Sequence, residues 1–295
     1  MSGAEFHLGL TGYPLGHSLS PALHQAALAA SGLTGDYLLF PIEPNQDADS
    51  NLQALCARVS GGELDGLNVT IPYKQSLFSC LDDISESARV VGAINTIFSR
   101  GGRLLGENTD IEGFKRDVST FIDLSTGQKA LVLGAGGAAR AVVYVLIQAG
   151  WQVTIAARRQ EQALQLANDL INYARSHFVD TITLRQLATL KPSAGWGLVV
   201  NTTPVGMYPH LEASPWPEEL ALPKAAALYD LIYNPGETCL IQQASAAGIR
   251  CRNGLGMLVE QAAQAFEIWT GEQADTAAMY NAILEINNLI PRRTL

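Results

Sequence analysis

The amino-acid sequence predicts an α/β protein of two domains, the second of which has a doubly wound parallel sheet. The chain has 295 residues, about twice the length of an average domain. From residue 129 onward, short runs rich in β-branched residues alternate with stretches of helical periodicity, which is typical of parallel βαβ units. Residues 1–108 also mix strand and helix patterns, but without this strict alternation, so they predict a separate α/β domain.

The elements follow from apolar runs and helical spacing. In the first half we predict strands over residues 6–12, 36–42, 66–70 and 93–98, with helices over 20–31 and 47–59. In the second half we predict strands over 130–134, 152–157, 197–201, 226–233 and 249–254, with helices over 137–150, 159–175 and 237–247.

Helices predicted over 109–122 and 256–269 connect the two halves, and a last helix is predicted near 275–289. The C-terminal helices are expected to return to the first domain. The sequence therefore predicts one domain of residues 1–110 plus 255–295 and a second of residues 111–254.

Composition excludes several classes of function. A net charge of −9 argues against a surface that binds nucleic acid. The N-terminus lacks the basic flank and apolar core of a signal peptide, and no apolar run reaches the length of a membrane span. The four cysteines have neither the spacing of a metal site nor the density of a disulfide scaffold. We expect a cytoplasmic protein without a metal.

The stretch GAGGAAR (134–140) fits the pattern G-x-G-x-x-A between a strand and a helix. The first glycine permits a tight turn, the second lets a diphosphate approach the backbone, and the helix N-terminus faces the anion. An ordinary βα turn is the alternative, but the strand before and the helix after favour a Rossmann-type dinucleotide site. The residues that would hold the phosphates are Gly134, Ala135, Gly136, Gly137 and Ala138.

The end of the next strand indicates which dinucleotide binds. A site for NAD usually has an acidic residue about 20 residues beyond the glycines, which binds the ribose 2′-hydroxyl. Here Ala157 occupies that position and is followed by Arg158 and Arg159. Two guanidinium groups favour a 2′-phosphate and hence NADP, although two solvated arginines at a helix start would give the same sequence.

Polar side chains cluster near the ends of the predicted strands of the first domain. They supply hydroxyls, amides, one carboxylate and one lysine, which is the inventory needed to bind a small polyhydroxylated acid. Each taken singly has a structural explanation: Ser20 and Asp110 could cap helices, and Lys74 could be a solvated charge. The residues are Ser18, Ser20, Asn68, Thr70, Lys74, Asn95 and Asp110.

The sequence resembles the shikimate dehydrogenase family nearly from end to end. The matching stretches are GYPLGHSLSPALHQ (12–25), GLNVTIPYK (66–74), VGAINT (91–96), GENTDIEGF (106–114), GAGGAAR (134–140), NTTPVGM (201–207), DLIYNPGET (230–238) and GLGMLVEQAAQAFEIWTG (254–271). The sequence departs from the family at Ala157-Arg158-Arg159, where Asn-Arg-Thr is common, which puts some side-chain contacts to the 2′-phosphate in doubt.

The resemblance implies a reversible reduction of 3-dehydroshikimate to shikimate with NADPH, in the biosynthesis of chorismate and aromatic amino acids. Lys74 corresponds to the catalytic lysine of the family, and Asp110 is expected to pair with it. An ammonium group can both donate a proton and stabilise the oxyanion that forms when hydride reaches a carbonyl carbon. Which of the two residues transfers the proton is left open.

The remaining roles are also implied by the resemblance. Binding of the substrate carboxylate is expected of Ser18, Ser20 and Tyr233. Binding of the ring hydroxyls and the reactive oxygen is expected of Asn68, Thr70, Asn95, Asp110 and Gln261. The nicotinamide side of the cofactor is expected to contact Thr203, Leu231, Gly254 and Met257.

Three alternatives stay open from the sequence. The first is a quinate/shikimate dehydrogenase of wider substrate range that uses NAD. The second is a non-catalytic module on this fold that senses NADP or a metabolite, against which the joint presence of Lys74 and Asp110 argues. The third is a methylenetetrahydrofolate dehydrogenase, which the paired serines and NTTPVGM disfavour. The protein is expected to act on a small molecule as a monomer or a homodimer.

Overall fold

The computed structural model describes residues 5–174, 179–189, 195–224 and 226–289. These residues form two separate β-sheets and the helices that accompany them. Within these ranges each sheet has six strands. The chain divides into a first unit of residues 1–89, 93–109 and 259–295 and a second unit of residues 90–92 and 110–258. The predicted fold class, an α/β chain with a doubly wound sheet in its second part, is confirmed.

The first unit is built on a mixed sheet. Its strands are β1 (Glu5–Gly12), β2 (Thr34–Pro41), β3 (Gly66–Val69), β4 (Asp83–Ile84), β5 (Thr96–Arg100) and β6 (Arg103–Glu107). Helices α1 (Ser20–Ala30), α2 (Ala48–Ser60) and α3 (Glu86–Val91) lie between them in the chain. The strand order is β2-β1-β3-β5-β6-β4, in which β5 pairs antiparallel with β3 and β6 while the other pairs are parallel.

The second unit begins with α4 (Thr109–Phe121), which starts one residue before the boundary between the units. It continues with β7 (Lys129–Leu133), α5 (Gly137–Gln148), β8 (Gln152–Ala157), α6 (Gln160–Ala174), β9 (Val179–Thr183), α7 (Leu184–Ala188), β10 (Trp196–Asn201), β11 (Ala227–Asp230), α8 (Cys239–Ala246) and β12 (Cys251–Asn253). The last two helices are α9 (Leu255–Thr270) and α10 (Thr276–Leu289).

The first sheet is apolar on both faces because helices cover both. On one face Leu8 and Leu10 pack against Trp269 of α9. The indole of Trp269 lies where a side chain at Gly66 would be, since a Cβ there would come within 2.2 Å of the ring. The same indole donates a hydrogen bond to the carbonyl oxygen of Ile97 at 3.1 Å. The C-terminal part of the chain is thereby a structural part of the first unit.

The second sheet is fully parallel, with the strand order β12-β11-β10-β7-β8-β9. From β7 the chain adds β8 and β9 on one side of the sheet, and it then returns to add β10, β11 and β12 on the other side of β7. The order of the strands therefore reverses between β7 and β10. In parallel sheets the crevice at such a reversal, outside the carboxyl ends of the strands, is where ligands bind. The predicted glycine loop follows β7 directly and therefore lies at this point.

Three predicted strands begin late or end early by more than one residue. The strand predicted over 249–254 is observed only over Cys251–Asn253, and the other two differ for local reasons. The strand predicted over 93–98 begins at Thr96, because Ile94 N–H donates to the Lys74 carbonyl oxygen at 2.7 Å instead of joining the ladder. The strand predicted over 226–233 ends at Asp230, whose carboxylate accepts from Ile232 N–H at 3.1 Å. The sequence patterns did not predict β4, β6, β9, α3 or α7. The last residue of the helix predicted over 159–175 lies outside the described residues.

Candidate active site

Ser18 and Ser20 lie in one tight turn before α1. Ser18 N–H donates to the Leu15 carbonyl oxygen at 3.0 Å, and Ser20 N–H donates to Ser18 Oγ at 3.3 Å. Ser20 is the first residue of α1 and is followed by Pro21, a residue suited to a first helical turn. The hydroxyl of Ser18 is therefore held against the backbone of Ser20 at a helix start.

Lys74 lies in a short 3-10 turn, Tyr73–Gln75, just after β3. Tyr73 N–H donates to the carbonyl oxygen of Thr70 at 2.9 Å, and its hydroxyl donates to the carbonyl oxygen of Ile42 at 2.9 Å. Together with the hydrogen bond from Ile94 to the Lys74 carbonyl oxygen, these contacts fix the backbone that carries the lysine. Its side chain is partly buried.

Asn68, in β3, is buried and hydrogen-bonded on both sides of its carboxamide. Its Oδ1 accepts from the hydroxyl of Tyr37 at 2.8 Å. Its Nδ2 donates to the carbonyl oxygen of Asn95 and to Thr96 Oγ1, each at 3.1 Å. Both amide hydrogens are thus engaged inside the first unit, so any ligand that Asn68 contacts must itself donate a hydrogen bond.

Asn95 and Gln261 lie 166 residues apart in the sequence, and Thr109 brings them together. Asn95 Oδ1 accepts from Thr109 N–H at 2.7 Å, and Asn95 Nδ2 donates to Thr109 Oγ1 at 3.0 Å. Gln261 Oε1 lies 3.5 Å from both Asn95 Nδ2 and Thr109 Oγ1. Asp110 follows Thr109 directly in the chain, as the second residue of α4.

The loop after β7 has the backbone geometry that a diphosphate site requires. Gly134 has φ +109°, and a Cβ there would lie 2.6 Å from Thr202 Oγ1, so only glycine fits. Gly136 precedes α5, no side chain caps the helix, and the space above its Cα is open to 4 Å. The first N–H groups of α5 are available to an anion, so the residues present fit a dinucleotide.

The second predicted cofactor element is at the end of β8. Ala157 is the last residue of that strand, and Arg158 and Arg159, which follow it, are both exposed. Because β8 is the neighbour of β7 in a parallel sheet, its carboxyl end lies at the same edge as the glycine loop. Two guanidinium groups, with Ala157 where an NAD site usually has an acidic residue, suit a 2′-phosphate.

At the same edge of the sheet, the buried carboxylate of Asp230 joins the ends of β10 and β11. Asp230 is completely buried and accepts from Asn201 Nδ2 at 2.8 Å and from Thr238 Oγ1 at 2.7 Å. Asn201 Oδ1 in turn accepts from the N–H and the hydroxyl of Thr203, at 2.9 and 2.7 Å. Burial raises the pKa of the Asp230 carboxyl, which its three hydrogen bonds oppose. Burial also raises the pKa of the Tyr233 phenol.

Leu231 and Gly254 are held together by close backbone packing, and Met257 follows in the first turn of α9. A Cβ at Gly254 would lie 2.0 Å from the carbonyl oxygen of Leu231, so the two backbones touch. Gly256, just beyond, packs against the carboxylate of Asp117, which accepts from Arg252 at 2.9 Å. The start of α9 therefore has a fixed place against the end of β11 within the second unit.

Six polar residues of these networks were not singled out from the sequence: Tyr37, Thr96, Thr109, Asn201, Asp230 and Thr238. All but Tyr37 lie inside the polar stretches INT, NTD, NTTP and DLIYNPGET, which also contain residues that were predicted. Tyr37 carries no such signal. In the described ranges no group of three or more histidine, cysteine or acidic side chains could hold a metal ion, and no helix there is long and apolar enough to cross a membrane.

Three family models match the chain. Residues 10–97 match the shikimate dehydrogenase substrate binding domain, residues 118–190 match shikimate/quinate 5-dehydrogenase, and residues 254–284 match the shikimate 5′-dehydrogenase C-terminal domain.

Individual proteins match over nearly their whole length. A shikimate dehydrogenase (NADP+) of Synechocystis sp. is 40% identical over 287 residues, which cover 96% of this chain and 97% of the relative. The shikimate 5-dehydrogenase of Thermus thermophilus, solved with NADP(H) and shikimate, superposes with a TM-score of 0.81 at 35% identity, covering 95% of this chain and 99% of that one. A quinate dehydrogenase of Corynebacterium glutamicum, solved with NAD, superposes with a TM-score of 0.85 at 30% identity, covering 96% and 100%.

Proposed function

Because the chain belongs to the shikimate dehydrogenase family, we propose that it catalyses the reversible reduction of 3-dehydroshikimate to shikimate, with NADP as its cofactor. The observation that carries this proposal is the hydrogen-bonded cluster of Asn95, Thr109 and Gln261. It lies in the same unit as the paired serines and Lys74.

Lys74 and Asp110 handle the proton in this proposal. NADPH, when bound, supplies the hydride that reduces the substrate carbonyl. The ammonium of Lys74 stabilises the oxyanion that forms and donates a proton to it, and in the reverse direction the neutral amine takes the hydroxyl proton. The carboxylate of Asp110 pairs with Lys74 and accepts a hydrogen bond from a substrate hydroxyl.

Other side chains position the acid. Ser18, Ser20 and Tyr233 bind its carboxylate. The ring hydroxyls and the reactive oxygen are bound by Asn68, Thr70, Asn95, Asp110 and Gln261. Asn68 takes part only as an acceptor, because both of its N–H groups are engaged within the protein.

The second unit holds the cofactor. The N–H groups of the glycine loop, at Gly134, Ala135, Gly136, Gly137 and Ala138, would hold the diphosphate of the cofactor. Arg158 and Arg159 would bind its 2′-phosphate, and Thr203, Leu231, Gly254 and Met257 would line its nicotinamide side. The domain roles follow: residues 1–110 plus 255–295 bind substrate, and residues 111–254 bind NADP.

The deciding experiment measures nicotinamide absorbance with shikimate and with quinate, each combined with NADP and with NAD. We expect shikimate with NADP to give the highest kcat/KM. Quinate carries an extra hydroxyl on a saturated carbon, and a buried hydroxyl without a partner costs roughly 1–3 kcal/mol, which is a factor of about 5–150 in kcat/KM. Lys74→Ala serves as the control for contaminating host enzyme.

Comparable kcat/KM values for the two acids would instead favour a quinate/shikimate dehydrogenase. Quinate is included in the test because the similar structure from Corynebacterium glutamicum is a quinate dehydrogenase. Absence of turnover with all four combinations, together with intact NADP binding, would favour a sensing module.

We further propose that the enzyme works in the cytoplasm, as a monomer or a homodimer. The four cysteines are free thiols, as is usual in a reducing compartment. Light scattering coupled to gel filtration measures the oligomeric state directly.

A further inference from the structure

A backbone group identifies the oxygen of the Asn95 carboxamide. The N–H of Thr109 lies 2.7 Å from Asn95 Oδ1, and a backbone N–H can only donate, so the atom at that place must be oxygen. The hydroxyls of Thr96 and Thr109 lie 3.1 and 3.2 Å from the same oxygen. A carboxamide turned by half a rotation would place its nitrogen against the Thr109 N–H. The three donors together, one of them the Thr96 hydroxyl, therefore hold the Asn95 carboxamide in this orientation.

The carboxamide of Asn68 is fixed in a corresponding way. Its Nδ2 lies 3.1 Å from the carbonyl oxygen of Asn95, which can only accept, so that atom must be nitrogen. Its oxygen then faces Tyr37, whose hydroxyl donates to it at 2.8 Å.

Thr96 joins the two carboxamides. Its Oγ1 accepts from Asn68 Nδ2 at 3.1 Å and donates to Asn95 Oδ1 at 3.1 Å. The hydrogen bonds thus run in one direction, from the hydroxyl of Tyr37 through Asn68 and Thr96 to Asn95. Thr96 has no exposed surface and Tyr37 is 5% exposed, so neither residue is placed to bind a ligand from solvent.

We propose that Thr96, supported by Tyr37, is a positioning residue that keeps the amide nitrogen of Asn95 directed toward the substrate. One N–H of that nitrogen donates to Thr109 Oγ1 at 3.0 Å, and the second, whose nitrogen lies 3.5 Å from Gln261 Oε1, is the one that binds a substrate oxygen. This inference rests on the proposed function, in which Asn95 binds a substrate oxygen. An oxygen on the substrate is bound by an N–H and repelled by a carbonyl oxygen, so the direction of the Asn95 carboxamide decides whether the contact forms. Thr96 acts through Asn95 and does not touch the reacting atoms.

The test compares Thr96→Val, which keeps the shape of the side chain and removes its hydroxyl, with Thr96→Ser, which restores the hydroxyl. Loss of one buried hydrogen bond that leaves partners unsatisfied corresponds to roughly a 5–150-fold change in an equilibrium. We expect Thr96→Val to lower kcat/KM for shikimate at least about tenfold, and Thr96→Ser to recover to within about threefold of wild type. Tyr37→Phe, one bond further away, should lose about three- to tenfold.

Binding of NADPH, followed by its fluorescence, should be the same in all three variants, because the network lies in the first unit. This split between shikimate turnover and cofactor binding is not expected from a general loss of stability. Tyr37→Phe keeps the proposal testable where Thr96→Val fails to fold.

Thr11→Val is the matched control. Thr11 is also completely buried, lies in the same sheet, and donates through Oγ1 to the carbonyl oxygen of Phe40 at 3.0 Å. The same substitution there removes one buried hydrogen bond outside the network, so kcat/KM should stay within about twofold of wild type.

Wild-type kcat/KM in both Thr96→Val and Tyr37→Phe would overturn the proposal, as would equal losses in Thr96→Val and Thr11→Val. These outcomes differ from failure of the proposed function, in which the wild-type protein itself does not oxidise shikimate.

Discussion

Asn201 and Asp230 are joined side chain to side chain at the ends of two neighbouring parallel strands, with Asn201 Nδ2 donating to Asp230 Oδ1 at 2.8 Å. Asp230 also accepts from Ile232 N–H, and Asn201 also accepts from Thr203. One buried carboxylate therefore supports both loops that we assign to the nicotinamide side of the cofactor.

Asp230→Asn should alter the pH dependence of stability. Burial raises the pKa of Asp230 above its ordinary value of 3.8. The contribution of this group to stability is therefore fully present below that value and is lost as the pH rises through the folded pKa. Asparagine does not titrate, so the free energy of unfolding of Asp230→Asn should rise relative to wild type as the pH is raised from below 3.8 to neutral.

Urea unfolding across that pH range measures this difference. Asp230→Leu, similar in size but unable to accept a hydrogen bond, should lose about 3 kcal/mol because it leaves Asn201 and Thr238 unsatisfied. A difference between Asp230→Asn and wild type that is constant with pH would contradict the expected effect of burial.

Lys74→Ala should lower kcat far more than it weakens shikimate binding, because proton transfer contributes mainly in the transition state. General acid–base groups contribute about 10²–10⁴-fold. Asp110→Asn should also be strongly impaired, and the double variant should lose less than the sum of the two effects in free energy. Steady-state kinetics and shikimate titration measure both quantities. A loss in kcat below about tenfold for Lys74→Ala would remove it from the mechanism.

Replacing Arg158 and Arg159 with glutamine should raise KM for NADP by roughly 10–100-fold and leave the use of NAD nearly unchanged, because NAD lacks the 2′-phosphate. The control replaces Lys115 and Arg116, two adjacent exposed cations on α4 of the same unit, and removes the same net charge. Equal weakening for NADP and NAD would mean that the two arginines do not bind the 2′-phosphate.

His24 should make the protein less stable below neutral pH. Its ring is completely buried and stacks on Tyr37 at 4.3 Å, and Asn68, which favours the charged imidazole, only partly offsets the effect of burial. Burial lowers its pKa from 6.5 to about 3. Its contribution to stability is therefore fully present above pH 6.5 and is lost as the pH falls toward 3, by about 1.4 kcal/mol per pH unit.

His24→Phe keeps a ring against Tyr37 and cannot bind a proton. Its free energy of unfolding should fall less steeply than that of wild type between about pH 6 and about pH 4.5, measured by chemical denaturation at fixed ionic strength. Parallel curves for the two proteins would show that His24 does not take up a proton on unfolding.

The second unit could be predicted well from the sequence because its signals are local. A run such as ALVLG followed by GAGGAAR specifies a strand, a turn and a helix start within about a dozen residues. In the first unit the strand order depends on contacts between distant segments. The two-residue strand β4 and the polar, glycine-flanked strand β6 have too few apolar positions to reveal a period.

The same distinction applies to the site. Asn68, Asn95 and Lys74 could be selected because polar groups stood at the ends of apolar strands. Nothing in the sequence around Tyr37 shows that its hydroxyl binds Asn68, 31 residues away, since that contact exists only once β2, β1 and β3 are in register. Local patterns identify which side chains are polar, whereas the fold decides which of them bind one another.

The contact between Trp269 and Gly66 has a consequence for the order in which the chain becomes structured during synthesis. The sheet that is translated first lacks part of its apolar covering until α9 has left the ribosome, whereas residues 110–258 are already complete by then. Domains generally fold as units once their residues are available. The unit in the middle of the gene product can therefore mature ahead of the one that contains the N-terminus, and a polypeptide that stops before residue 259 would leave the earlier-made half unfinished.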